Sequence, residues 1–145
     1  MLKNYIFPLL LLALCLLTSA LGQEVHTPSK DSAERKAVLN ALRVPVEREL
    51  KKKTIFEIQT LNVEGNWAFL DGIPKKGDGS AMDYRNTIYQ QAIKEGIFGN
   101  GVVALLKKSG ASWRVVKYVI GPTDVPYVTW WKDYKAPKTI FPHTE

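Results

Sequence analysis

Past residue 30 the apolar positions follow two periods, first helical and then alternating. Ala37, Val38, Ala41 and Leu42 recur at three- and four-residue spacing with Leu39 beside the stripe, and Val46 and Leu50 extend it. Pro45 has no amide N–H, and its fixed φ suits a first helical turn. The pattern therefore predicts two helices, 31–43 and 45–52. Asp31 and Glu34 stand at capping-box spacing before the first. In the second, Glu47 and Glu49 come early and Lys51, Lys52 and Lys53 late, the signs that a helix dipole favours.

The period then drops to two. Phe56, Ile58 and Thr60 alternate with Glu57 and Gln59, predicting a strand over 54–61. Glu64-Gly65-Asn66 is a turn signal, and a partner strand runs from Trp67 to Ile73. The stretch 74–80 is a loop, 87–95 reads as a short helix packing Ile88, Ala92 and Ile93, and Gly96 stops it. A second hairpin follows: an apolar run over 102–107, a turn at Ser109-Gly110-Ala111-Ser112, and a return over 113–120. In the return strand Trp113, Val115 and Lys117 are set on one face, and Arg114, Val116 and Tyr118 on the other. Apolar residues on both faces predict a central strand, or one covered on both sides. The aromatic stretch 127–134 is read as one or two helical turns, before an irregular tail marked by Pro137 and Pro142.

The order is thus α, ββ, α, ββ and a tail, an α+β domain with N-terminal helices packed on one antiparallel sheet built from two hairpins. Its expected core is Val38, Leu42, Phe56, Ile58, Phe69, Val103, Leu105, Val115 and Tyr118. This order resembles the cystatin-like and NTF2-like architectures, in which a curved sheet wraps an N-terminal helix. The run Ser112-Trp113-Arg114-Val115-Val116, followed by Tyr118-Val119-Ile120-Gly121, is similar to the last core strand of small exported bacterial proteins of no known function. The resemblance carries no functional residue across, and the segment between the hairpins departs from the simplest cystatin order.

The first residues read as an address. Lys3 is the only charge before Glu24, an apolar stretch with the leucine run 9–12 spans Tyr5 to Leu17, and small residues end at Gly22. A basic start, a short apolar run and a small-residue exit make a secretory signal peptide over 1–22. The run is too short for a comfortable transmembrane helix, which needs about 20 apolar residues. The expected organisation is a signal peptide 1–22, a flexible segment 23–30 around Pro28, and a single domain 31–145. No transmembrane span remains after cleavage, and the product is exported to a periplasm or secreted. Cleavage removes Cys15, the one cysteine, so the exported chain is held by its core without a disulfide.

Charge and chemistry narrow the function classes. At 145 residues with 46% hydrophobic content, the chain is a single domain's worth of globular material. The net charge is +6, and the lysine groups 51–53, 75–76 and 107–108 are read first as solvated surface charge, with a patch that steers anionic lipid headgroups or cell-wall polymers as the other account. Nucleic acid is a poor candidate for an exported chain with no recognised signature. The two histidines, His26 and His143, stand near the ends of the exported chain, which argues against a catalytic triad or a zinc site with histidine ligands. Gly77-Asp78-Gly79 lacks the third glycine and the lysine of a phosphate loop and serves a surface turn. No cofactor or metal is expected.

Asp71, Asp83 and Asp124 fall at the ends of predicted elements. Asp124 with Tyr84 or Tyr118 is the trial pair for acid–base chemistry in an NTF2-like cone, although Thr123-Asp124 between prolines is also good turn chemistry. The densest feature is aromatic: Tyr127, Trp130, Trp131 and Tyr134, with Lys132 among them. Adjacent tryptophans on one short helix cannot enter the same pocket, so one is expected in the core and the other in a stacking or contact platform. The leading expectation is an exported, soluble, non-catalytic domain that binds an envelope protein or anionic polymer through these residues. The alternatives are an NTF2-like acid–base enzyme using Asp124, and an inhibitor or immunity-type protein acting outside the cytoplasm.

Overall fold

The computed structural model describes residues 22–145, so all of the expected signal peptide except Gly22 lies outside the described residues. The N-terminal stripe forms one helix, α1 (Ala33–Leu50), not two. Pro45 sits inside it, with Val38, Leu42, Val46 and Leu50 buried at every fourth position. An internal proline costs a helix about 3 kcal/mol. Each fully buried aliphatic side chain returns roughly 1.5–3 kcal/mol, and two lie on either side of Pro45, so packing wins. The N-cap is Ser32, whose Oγ accepts from the Arg35 amide at 3.1 Å; Asp31 lies one residue too early for that role. At the other end Glu47 accepts from the Thr54 amide at 2.9 Å, and Arg43 donates to the Thr54 carbonyl at 2.9 Å. These two bonds fix the helix to the start of the sheet, and the first holds the Glu47 carboxyl below its ordinary range.

Four strands follow: β1 (Thr54–Glu64), β2 (Trp67–Lys76), β3 (Val102–Ser109) and β4 (Ser112–Ile120). They form one antiparallel sheet in the order β1-β2-β3-β4. The architecture is α+β, a meander carrying α1 on one face. Between β2 and β3 lies a long connection containing α2 (Gln90–Lys94). This helix is shorter than 87–95, and Ile88 and Ile93, expected to pack, are 76% and 43% exposed. Gly96 ends it at a positive φ, as expected.

Both edge strands carry a bulge, and the bulges decide which residues face α1. In β1 the register shifts between Ile58 and Thr60, so Phe56 and Ile58 before the shift, and Leu61 and Val63 after it, all pack toward the helix. In β4, Val115 pairs with Leu106 and Lys117 with Leu105, leaving Val116 as the extra residue. Trp113, Val115, Tyr118 and Ile120 therefore share the helix side. The expected split of Val115 from Tyr118 assumed an unbroken period of two, which a bulge resets. β4 is an edge strand, not a central one, but Val119 packs into the core on its other face. The central strands β2 and β3 are covered on both faces: Ala68 to Leu70 and Val102 to Leu106 are all buried.

A second core on the opposite face explains this double burial. Phe69, Val103 and Leu105, expected under the helix, instead lie there, beneath the C-terminal segment with its helix α3 (Trp130–Asp133) and the 3-10 turn 138–140. No helix among the described residues is long and apolar enough to cross a membrane.

Residues 23–30, read as flexible from their composition, run along the β1 edge. The amides and carbonyls of His26 and Val63 exchange two hydrogen bonds of 2.8 Å, and Pro28 is buried. The His26 ring meets Glu34 of α1 at 2.7 Å, which raises its pKa above the ordinary 6.5. A raised folded-state pKa contributes stability that is fully present below the unfolded value and is lost as pH rises through the folded one. Amide exchange at His26 and Val63, corrected for intrinsic rates, should thus show protection that falls as pH rises past the ordinary histidine value of 6.5. Glu34→Gln should flatten that dependence. An unchanged dependence in Glu34→Gln would show that the ion pair does not hold the segment.

Candidate functional site

After β4 the chain turns at Gly121 and passes to the face opposite α1. Gly121 has φ +73, and a Cβ there would meet the Phe98 ring at 2.0 Å, so the turn needs glycine. The tail then settles on Phe69: the Tyr127 ring lies 4.6 Å and the Phe141 ring 5.3 Å from it, centroid to centroid. Trp130 extends this stack, 6.3 Å from Tyr127 and 6.4 Å from Tyr134 in edge-on arrangements. Such geometry suits the quadrupole of aromatic rings. Asn62 of β1 donates to the Ile140 carbonyl at 2.8 Å and ties the tail's end to the sheet.

The adjacent tryptophans part company as α3 turns. Trp130 is 4% exposed, whereas Trp131 is half-buried at the surface with the Lys138 ammonium 4.7 Å above its ring. Lys132 and Lys135 are exposed beside it and Tyr134 is half-buried. A second half-buried tryptophan, Trp67, lies on the same face with Lys107 4.8 Å from its ring. It borders an open groove of about 300 Å³ with Glu64, Asn66 and Pro137. Pro137 and Lys138, neighbours in sequence, link the two tryptophans. The pairing of Trp67 with Lys107 was not legible in the sequence. Both lie at hairpin ends, and the register Trp67↔Lys107 places them opposite each other on central strands.

The expected acid–base residues are arranged differently. Asp124 is exposed on the loop after β4. The carboxylate that meets Tyr118 is Glu49 of α1, which accepts from both the Tyr118 and Tyr89 hydroxyls. Burial and this shared carboxylate push the Tyr118 phenol up to about 12 and raise that of Tyr89 further. No signal in the sequence separated Glu49 from the other acids of the helix end. The arrangement is a clamp: one side chain of α1 holds both β4 and the β2–β3 connection. Asp71 is in the middle of β2, not at its end, where burial raises its pKa and its charge bears on Tyr127. Asp83 is bound by Arg85, which holds its carboxyl well below the usual range.

Tyr84 stands beside the clamp, 4.8 Å from Phe98 and 6.3 Å from Tyr89 between ring centroids. Its hydroxyl is buried without a hydrogen-bond partner, and burial pushes its pKa up to about 12. An unsatisfied buried hydroxyl costs about 1–3 kcal/mol. Tyr84→Phe should therefore leave stability unchanged or raise it by about 1 kcal/mol in urea unfolding. A loss of more than about 1 kcal/mol would show that the hydroxyl has a partner in solution.

Among the described residues, no group of three or more His, Cys, Asp or Glu side chains is placed to hold a metal ion. Comparison of the chain with protein-family models, with curated proteins and with solved structures finds no match.

Proposed function

We propose that this is an exported, non-catalytic binding domain that engages a protein or polymer of the cell envelope through its C-terminal segment. The contact residues in this reading are Trp131, Lys132 and Tyr134, with Tyr127 and Trp130 anchoring them from below. One observation carries it: the chain spends Trp130 on the core and leaves Trp131 half-exposed among lysines on a segment pinned to the sheet. A stiff aromatic surface with nearby cations can bind without the ordering cost that flexible side chains carry. Export rests on the composition of residues 1–22. A cystatin-like kinship is part of the proposal, supported by one N-terminal helix lying on a bulged antiparallel meander.

The acid–base alternative has less support, because Asp124 is exposed and Tyr118 is committed to Glu49. The test is capture from a native envelope extract by the immobilised protein. The reading expects one component retained by the wild type and released by Trp131→Ala. Equal retention by both would remove the C-terminal segment as the contact surface.

A further inference from the structure

A second surface, on the helix side of the sheet, gathers cationic side chains around a single carboxylate. At the end of α1, Lys51 takes the left-handed conformation (φ 55) and Lys52 and Lys53 follow. The β2–β3 connection folds back to this point. The Lys52 ammonium donates to the carbonyl of Asp83 and, at 3.1 Å, to that of Arg85. Between them lies an open cleft of about 600 Å³ lined by Lys51, Lys52, Arg85, Asn86 and Gln90 above Leu50.

The one acid of the cleft, Asp83, is already satisfied. It accepts from the Arg85 guanidinium at 2.7 and 3.0 Å and from the Arg85 amide at 3.0 Å, an ion pair on a guanidinium that is itself exposed. Lys53 pairs with Glu47 at 3.4 Å. Among the described residues, Lys51 and Lys52 have no carboxylate partner. A helix C-terminus attracts lysines through its dipole, which accounts for Lys51 to Lys53. It does not account for Arg85, Asn86 and Gln90, which arrive from a connection distant in sequence and add donors to the same space.

We propose that this cleft binds a phosphate-bearing ligand. Two ammonium groups, a guanidinium held by its neighbour and two side-chain amides suit the tetrahedral oxygens of a phosphate mono- or diester. The phosphate has two sources, a soluble compound or the headgroup of an anionic lipid. The connection bearing Asn86 and Gln90 also exposes Ile88 (76%), Ile97 (59%) and Ile93 (43%). Those side chains would meet the acyl boundary if the phosphate belongs to a lipid.

The experiment titrates the purified protein at low salt with glycerol 3-phosphate, and separately with phosphatidylglycerol vesicles against pure phosphatidylcholine vesicles. The proposal expects binding to at least one phosphate probe, absent for phosphatidylcholine. It also expects a weakening of at least about tenfold in Lys51→Gln/Arg85→Gln with an unchanged melting curve. Lys51→Gln alone, at an exposed position, serves if the double variant melts early, and it too should weaken binding. Lys30→Gln/Lys36→Gln removes the same charge elsewhere and should bind as the wild type does. Vesicle binding that is lost with Ile88→Ser assigns the lipid source; glycerol 3-phosphate binding that Ile88→Ser leaves intact assigns the soluble one. Binding to neither probe, or equal weakening in the Lys30/Lys36 control, overturns the proposal.

Discussion

Trp130→Ala should lower unfolding stability by about 3–5 kcal/mol, as truncation of a buried tryptophan does. Its ring is 4% exposed and packs edge-on to Tyr127 and Tyr134, above a core that includes Phe69 and Leu105. Truncation leaves a cavity in a layer only one segment thick. The segment's other fastenings, such as the Asn62 bond to Ile140, resist the collapse that would fill it. Trp131→Ala provides the contrast. It loses partial burial and one cation–π contact with Lys138, worth about 0.5–1 kcal/mol at an exposed site. Urea unfolding of both variants decides the matter. Equal losses would mean that the two rings share the same structural role.

Leu42→Ala should cost about 2–5 kcal/mol. Leu42 is fully buried at the middle of the α1 stripe, in one cluster with Leu70, Ala104 and Leu106 of the central strands. Val38 and Val46 lie one turn away on either side in the same buried stripe. A loss below about half a kcal/mol would contradict the placement of α1 on the sheet.

Much of this fold was legible because period and turn chemistry agree where one face is buried. Val38, Leu42, Val46 and Leu50 announce α1, and Gly65 and Gly110 place both hairpins. Legibility fails where a local rule meets a tertiary one. Pro45 reads as a boundary, but the apolar stripe continues through it. Val116 reads as a regular strand residue, but the sheet bulges there. Phe69, Val103 and Leu105 read correctly as buried, yet their covering comes from a tail whose docking no periodicity encodes. At the site, the pattern separated Trp130 from Trp131 only as a pair with different fates. It did not pair Trp67 with Lys107, and it offered Asp124 to Tyr118 where the folded chain supplies Glu49. Pairings across forty or more residues are set by packing, which a single sequence does not display.

In the function proposed above, Trp131 serves recognition while Trp130 serves the fold. Calorimetric titration of the captured envelope component with wild type and Trp131→Ala tests it most directly, alongside melting curves of both. Trp131→Ala should bind at least about tenfold more weakly, or by about 1.4 kcal/mol, at a nearly unchanged melting temperature. An unchanged dissociation constant would contradict it and leave the aromatic segment as cover for the sheet alone.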